Sequence, residues 1–107
     1  MAEVRALAGT VAAAALLVVS TTAGGAETRT IVIEGMRFAP VTTTVKRGDT
    51  VVWVNRDFVP HTATAGDAFD SSRIGAGESW RFVPRARGRY AYVCSLHPTM
   101  KATLVVE

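Results

Sequence analysis

From Thr30 to the C-terminus no stretch repeats apolar residues every three or four positions, so nothing lays down the continuous stripe a surface helix needs. The chain instead offers short runs of alternating character cut by Gly, Pro and Asp. The alternation predicts strands over 30–34, 41–45, 50–55, 62–65, 78–83, 89–94 and 100–106. Arg47-Gly48-Asp49 supplies the turn between the second and third, and Gly75-Ala76-Gly77 and Gly88 punctuate the later ones. Short strands with no helical partner leave an all-β architecture, a Greek-key β-sandwich or barrel of about seven to eight strands.

The first 26 residues have a different character. An Ala, Leu and Val run over 6–19 follows Arg5 and gives way to small residues up to Ala26. This is the layout of a secretory signal peptide, with cleavage expected after Ala23 or Ala26. Retention as a membrane anchor is the alternative, disfavoured by the Ala and Gly content and the Ser20-Thr21-Thr22 interruption. The expected organisation is a signal peptide over 1–26 and one domain over 27–107, periplasmic or secreted, with no stable membrane insertion after cleavage.

A domain of that size lies near the limit at which a core alone gives adequate stability, and small exported domains often compensate with disulfides. The chain has a single cysteine, Cys94, and cannot form an internal bridge. A bound metal would provide the missing cross-link and occupy the thiol. The formal charge of +3 is modest and scattered, which argues against a nucleic-acid partner.

Cys94 lies in the segment Cys94-Ser95-Leu96-His97-Pro98-Thr99-Met100, which places three soft or borderline donors within seven residues. His61 is the remaining histidine of the two in the chain. One thiolate, two imidazoles and a thioether form the donor set of a blue-copper electron-transfer centre, a His2Cys plane with a weak axial Met. Alternation puts Tyr90, Tyr92 and Cys94 on one strand face, so the sulfur is expected to point to the inside end of the sandwich.

At these residues the chain resembles the cupredoxins, within them the small amicyanin and plastocyanin group. The matching stretches are Gly48-Asp49-Thr50-Val51-Val52-Trp53-Val54-Asn55, Pro60-His61, Gly88-Arg89-Tyr90-Ala91-Tyr92-Val93-Cys94 and the segment from Cys94 to Met100, whose short spacings look like the amicyanin ligand loop. The resemblance implies His61, Cys94 and His97 as equatorial ligands of one type 1 copper, with Met100 axial. It also implies a hydrogen bond from the backbone after His61 to the thiolate, and a role for Asn55 in fixing the ligand loop. Family members commonly carry Asn after the first histidine, and this chain has Thr62. The backbone donor survives that change, whereas a side-chain brace to the ligand loop is expected to be weakened or replaced.

The function expected from these features is a non-enzymatic one-electron carrier, acting as a monomer and docking redox donors and acceptors near His97. Leu96, Pro98, Met36 and Pro60 are expected to form an apolar collar there. A copper delivery or storage protein is the alternative, and a structural zinc site fits the donor chemistry. A second catalytic copper would need further histidines, and without Cys-x-x-Cys-His covalent haem is unsupported. Arg85, Arg87 and Arg89 form a basic stripe, read as a solvated face or as a dock for an acidic redox partner.

Overall fold

Where the sequence alternates, the backbone extends. The computed structural model describes residues 25–107, so the signal-peptide reading of the leader falls almost wholly outside the described residues. Its strands are β1 (Thr28–Ile33), β2 (Phe38–Ala39), β3 (Thr42–Val45), β4 (Thr50–Asn55), β5 (Thr64–Ala65), β6 (Phe69–Asp70), β7 (Ser79–Phe82), β8 (Gly88–Cys94) and β9 (His97–Val106). They form two mixed sheets, one ordered β2-β1-β4-β7 and the other β3-β9-β8-β5-β6. The all-β sandwich is therefore as expected, with β2 and β6 in addition to the strands read from the sequence.

The sheets meet through aromatic and branched side chains. β4 contributes Val51 and Trp53, both fully buried, and β1 contributes Ile31 and Ile33. Tyr92 and Leu104 face them from the second sheet. Trp53 contacts Tyr92 edge-on at a centroid separation of 5.6 Å, and Phe69 on β6 packs on Phe82 at 4.9 Å. Each such buried side chain contributes about 1.5–3 kcal/mol through area removed from water. Burial pushes the Tyr92 phenol up to about 12. The Trp53 indole N–H beside it opposes that rise without reaching hydrogen-bond geometry, and neither group has a partner in the core.

The turn joining β3 to β4 needs Gly48, whose φ of 88° lies in the left-handed region. Asp49 closes it by accepting the backbone N–H groups of Lys46 at 2.8 Å and Glu27 at 2.9 Å. The Glu27 and Lys46 hydrogen bonds, followed by the charges of Lys46 and Arg29, hold the Asp49 carboxyl below its ordinary value against the opposing effect of burial. A folded value lowered in this way stabilises the fold above the ordinary carboxylate range, and that contribution is lost as pH falls through the folded value. Asp49→Asn is therefore expected to flatten the acid side of a melting-temperature profile. Superimposable acid limbs for the two proteins would refute this account.

The same turn sets the polarity of the molecule. Gly48 donates its N–H to Pro84 O at 2.9 Å, and Gly88 pairs with Val106, so the segment carrying Arg85, Arg87 and Arg89 sits at this end. β8 then runs away from it for six residues, about 20 Å, before reaching Cys94. The arginines are exposed, and the basic stripe lies at the opposite pole from the predicted metal donors.

Candidate metal centre

Two loops and one hairpin build the site. β4 ends at Asn55, which is fully buried and uses its whole side chain. Asn55 Nδ2 donates to Val59 O and Ile74 O, each at 2.9 Å, and Asn55 Oδ1 accepts the Asp57 N–H at 2.9 Å. These bonds fold residues 56–60 into a loop that delivers His61. The His61 backbone is pinned by a reciprocal pair with Ile74, N–H to O at 3.1 Å and back at 2.7 Å. Asn55 thus fixes the His61 loop, whereas the family resemblance suggested a role on the ligand loop.

The second half is tighter than the expected loop. Only Ser95 and Leu96 form a turn, and His97 already belongs to β9. The pairing passes from Val93↔Lys101 directly to Cys94↔His97, which leaves Pro98, Thr99 and Met100 as a bulge on β9. A regular strand puts residues three apart on opposite faces, and a bulge re-aims side chains. It also accommodates Pro98, which has no N–H for the ladder. Met100 is buried in the same cluster as Cys94 and Tyr92, while His97 is half-buried.

Three of the predicted donors converge. Cys94 Sγ lies 3.7 Å from His61 Nδ1 and 3.6 Å from His97 Nδ1, and the ligand atoms of all three lie within 4.8 Å of one another. With zinc-like bond lengths of about 2.0 Å to nitrogen and about 2.3 Å to sulfur, a trigonal plane separates the two donors by about 3.7 Å. Both sulfur–nitrogen distances therefore match the spacing one ion requires. Cys94 and His61 are both 0% exposed, so a metal held there would be shielded from water on those sides.

Electrostatics prepares His61 for this role. Its Nε2 lies 2.8 Å from Asp57 Oδ2, and since a carboxylate only accepts, Nε2 carries the hydrogen and Nδ1 presents its lone pair beside the sulfur. Burial works to raise the Asp57 carboxyl, but the N–H groups of Met36 and Gly35 and the His61 N–H overcome it and hold it below its ordinary value. Asp57 accepts from Gly35 at 2.7 Å and from Met36 at 3.0 Å, which ties the β1–β2 turn to the histidine. Sequence reasoning did not single out Asp57. Its position four residues before a histidine is the signal that could have found it.

The expected backbone donor is present, with Thr62 N–H reaching Cys94 Sγ at 3.3 Å. The side-chain brace is replaced by a hydroxyl: Thr62 Oγ1 accepts the Ser95 N–H at 2.8 Å and lies 3.0 Å from Ser95 Oγ. The two donor-bearing segments are thus bonded at the residues immediately after His61 and Cys94.

The family model described as Cupredoxin-like domain matches residues 7–106. The chain belongs to this cupredoxin-like family. It is 31% identical over 81 residues to the amicyanin of Paracoccus versutus, covering 70% of this chain and 61% of that one. It is 35% identical over 69 residues to the amicyanin of Paracoccus denitrificans, covering 59% and 53%. The match therefore spans less than two thirds of the length of these relatives. Among solved structures, amicyanin from Paracoccus versutus superposes with a TM-score of 0.66 at 27% identity, over 73% of this chain and 79% of that one. The copper-containing nitrite reductase of Thermus scotoductus gives a TM-score of 0.68 at 30% identity, over 73% of this chain but 22% of the reductase. Cupredoxin architecture thus accounts for both the sandwich and the placement of the donors at one end of it.

Proposed function

We propose that this cupredoxin is a type 1 copper protein that carries single electrons between redox partners, with His61, Cys94, His97 and Met100 as ligands. The observation that carries the reading is the Cys94 sulfur held between two Nδ1 atoms at 3.7 and 3.6 Å, with Asp57 fixing the tautomer of His61. Copper would supply a one-electron couple between its two common oxidation states. The protein's contribution is to keep the donors at fixed spacing and to exclude water, so that little has to rearrange when charge changes. Similarity to amicyanins supports the carrier reading over an enzymatic one. The chain contains two histidines, both assigned here, so none is left for a second copper. The visible and electron-spin spectra of the copper-loaded protein test the proposal. An intense thiolate-to-copper band is expected, and its absence would sink it. Rapid surrender of copper to a metal-free acceptor, with slow electron self-exchange, would favour delivery instead.

Residues 1–26 are proposed as an export leader and 27–107 as the working domain, in the periplasm or outside the cell. β1 begins at Thr28, just past that cleavage point, and no helix among the described residues is long and apolar enough to cross a membrane. Partners are proposed to dock over His97, the one half-buried member of the trio. Leu96, next to it in sequence, is 43% exposed, Met36 on the turn bonded to Asp57 is 42% exposed, and the 56–60 loop adds an exposed Val59 and a fully exposed Phe58. Phe58 was not part of the expected collar. An aromatic ring left wholly in water on the loop that delivers His61 suits a transient apolar contact. Phe58→Glu is expected to slow electron self-exchange by about tenfold or more through like-charge repulsion between copies. Unfolding stability should change by less than about 0.5 kcal/mol. An unaltered exchange rate would remove Phe58 from the docking surface.

A further inference from the structure

We propose that Asp70, on the outer β5–β6 hairpin, is a positioning residue for the Cys94 segment, acting through an ordered chain of hydroxyls made by Thr64, Thr62 and Ser95.

The order of the chain follows from counting protons. Thr64 Oγ1 donates to Asp70 Oδ1 at 3.1 Å, because an ionised carboxylate has no hydrogen to give. The single hydroxyl proton of Thr64 is then committed, so the 2.9 Å contact between Thr62 Oγ1 and Thr64 Oγ1 has Thr62 as donor. That commits the Thr62 proton too. The 3.0 Å contact between Thr62 Oγ1 and Ser95 Oγ therefore has Ser95 as donor. Thr62 Oγ1 also accepts the Ser95 N–H at 2.8 Å, so its one hydrogen and both lone pairs are used. Every hydroxyl proton points away from Ser95 and towards Asp70.

This order has a consequence at the sulfur. The Ser95 nitrogen belongs to the peptide bond directly after Cys94, and Thr62 also donates its own N–H to Cys94 Sγ at 3.3 Å. Thr62 consequently grips the Cys94 residue from both ends. A negative acceptor at the far end polarises each hydroxyl in turn, making Thr62 Oγ1 a stronger acceptor for Ser95. Without Thr64 as acceptor, the Thr62 proton would turn to Ser95 Oγ and compete with the bond Ser95 makes to it. The hairpin is built to hold this geometry. Thr64 and Asp70 are directly paired across it, and Asp70 Oδ1 is further fixed by the Ser72 N–H at 2.9 Å.

Amide hydrogen exchange of the metal-free protein tests the chain without reference to copper. Thr64→Val keeps the branched shape and removes the hydroxyl, Asp70→Asn keeps an acceptor and removes the charge, and Thr64→Ser restores the hydroxyl. The Ser95 amide is expected to exchange about twofold faster in Thr64→Val, because its bond to Thr62 Oγ1 is weakened rather than removed. The change should be smaller in Asp70→Asn and absent in Thr64→Ser, with core amides such as that of Leu104 unaffected in all three. Ser95 exchange unchanged in both Thr64→Val and Asp70→Asn overturns the proposal. The role in tuning the sulfur rests on Cys94 being a copper ligand and has its own readout. The reduction potential of the copper-loaded protein is expected to shift in Thr64→Val and return in Thr64→Ser, and a potential common to all variants overturns that role. A protein that shows no thiolate-to-copper band fails the functional reading alone, since the exchange result stands without it.

Discussion

Replacing Cys94 with Ser is expected to abolish the intense visible band of the copper-loaded protein. The band needs a soft, polarisable thiolate donating charge into the metal, and a serine hydroxyl is harder and stays protonated at neutral pH. The substitution leaves the backbone of β8 and the Thr62 N–H in place, so the fold should persist and the loss should be confined to the metal. Copper affinity is expected to fall by more than the roughly 10- to 100-fold typical of a lost outer partner, because a direct ligand is removed. Titration followed by visible and electron-spin spectroscopy reads both effects. A band that survives in the variant would dismiss Cys94 as the ligand, and with it the type 1 assignment.

The second large effect is expected at Asn55. Asn55→Ala removes three hydrogen bonds at once, those to Val59 O, Ile74 O and the Asp57 N–H. Ile74 O keeps the His61 N–H as a partner, but Val59 O and the Asp57 N–H lose theirs. At about 1 kcal/mol per bond, plus the desolvation cost of groups left unpaired, stability should fall by about 2–4 kcal/mol. Urea unfolding of the metal-free protein measures it. The expected damage extends to function, because Asp57 loses the contact that aims its carboxylate at His61 Nε2. A loss under about 1 kcal/mol would mean that the 56–60 loop holds its shape without Asn55.

The two sites differ in how far the sequence revealed them. β4 coincides with its expected range because Thr50 to Val54 are β-formers, bounded by a turn at one end and by Asn55-Arg56-Asp57 at the other. The strand face of Tyr92 and Cys94 followed from a period of two, and both are buried. β2 and β6 were invisible because two residues cannot display a period. Their pairing is a tertiary property, fixed by partners such as Val32↔Ala39 and Thr64↔Asp70. The early start of β9 was hidden by Pro98, which reads as a strand breaker until the bulge supplies a place for it. At the metal centre, His61, Cys94 and His97 were legible from donor chemistry taken together with the family resemblance, and the structure brings these three together. The groups that aim them were not. Asp57, Thr64, Asp70 and Ser95 act through folded distances, and their residue types are ordinary loop and strand polar residues anywhere else. Thr62 shows the limit most clearly. Its identity signalled that the usual brace was missing, but not that a hydroxyl would span the same gap.

The long β9 strand also bears on how an ion would get out. His97 stands at the head of β9, paired there with Cys94 of β8, and β3 joins the same strand only further along, at Thr103–Val106. A ligand on a free loop can swing aside in a local fluctuation, but one paired into a hairpin lets go only when that end of the sheet unzips. Escape is then governed by a rare opening rather than by the intrinsic lability of the metal bond. The rate at which a chelator strips the loaded protein should accordingly level off as chelator concentration rises, at a ceiling set by the sheet.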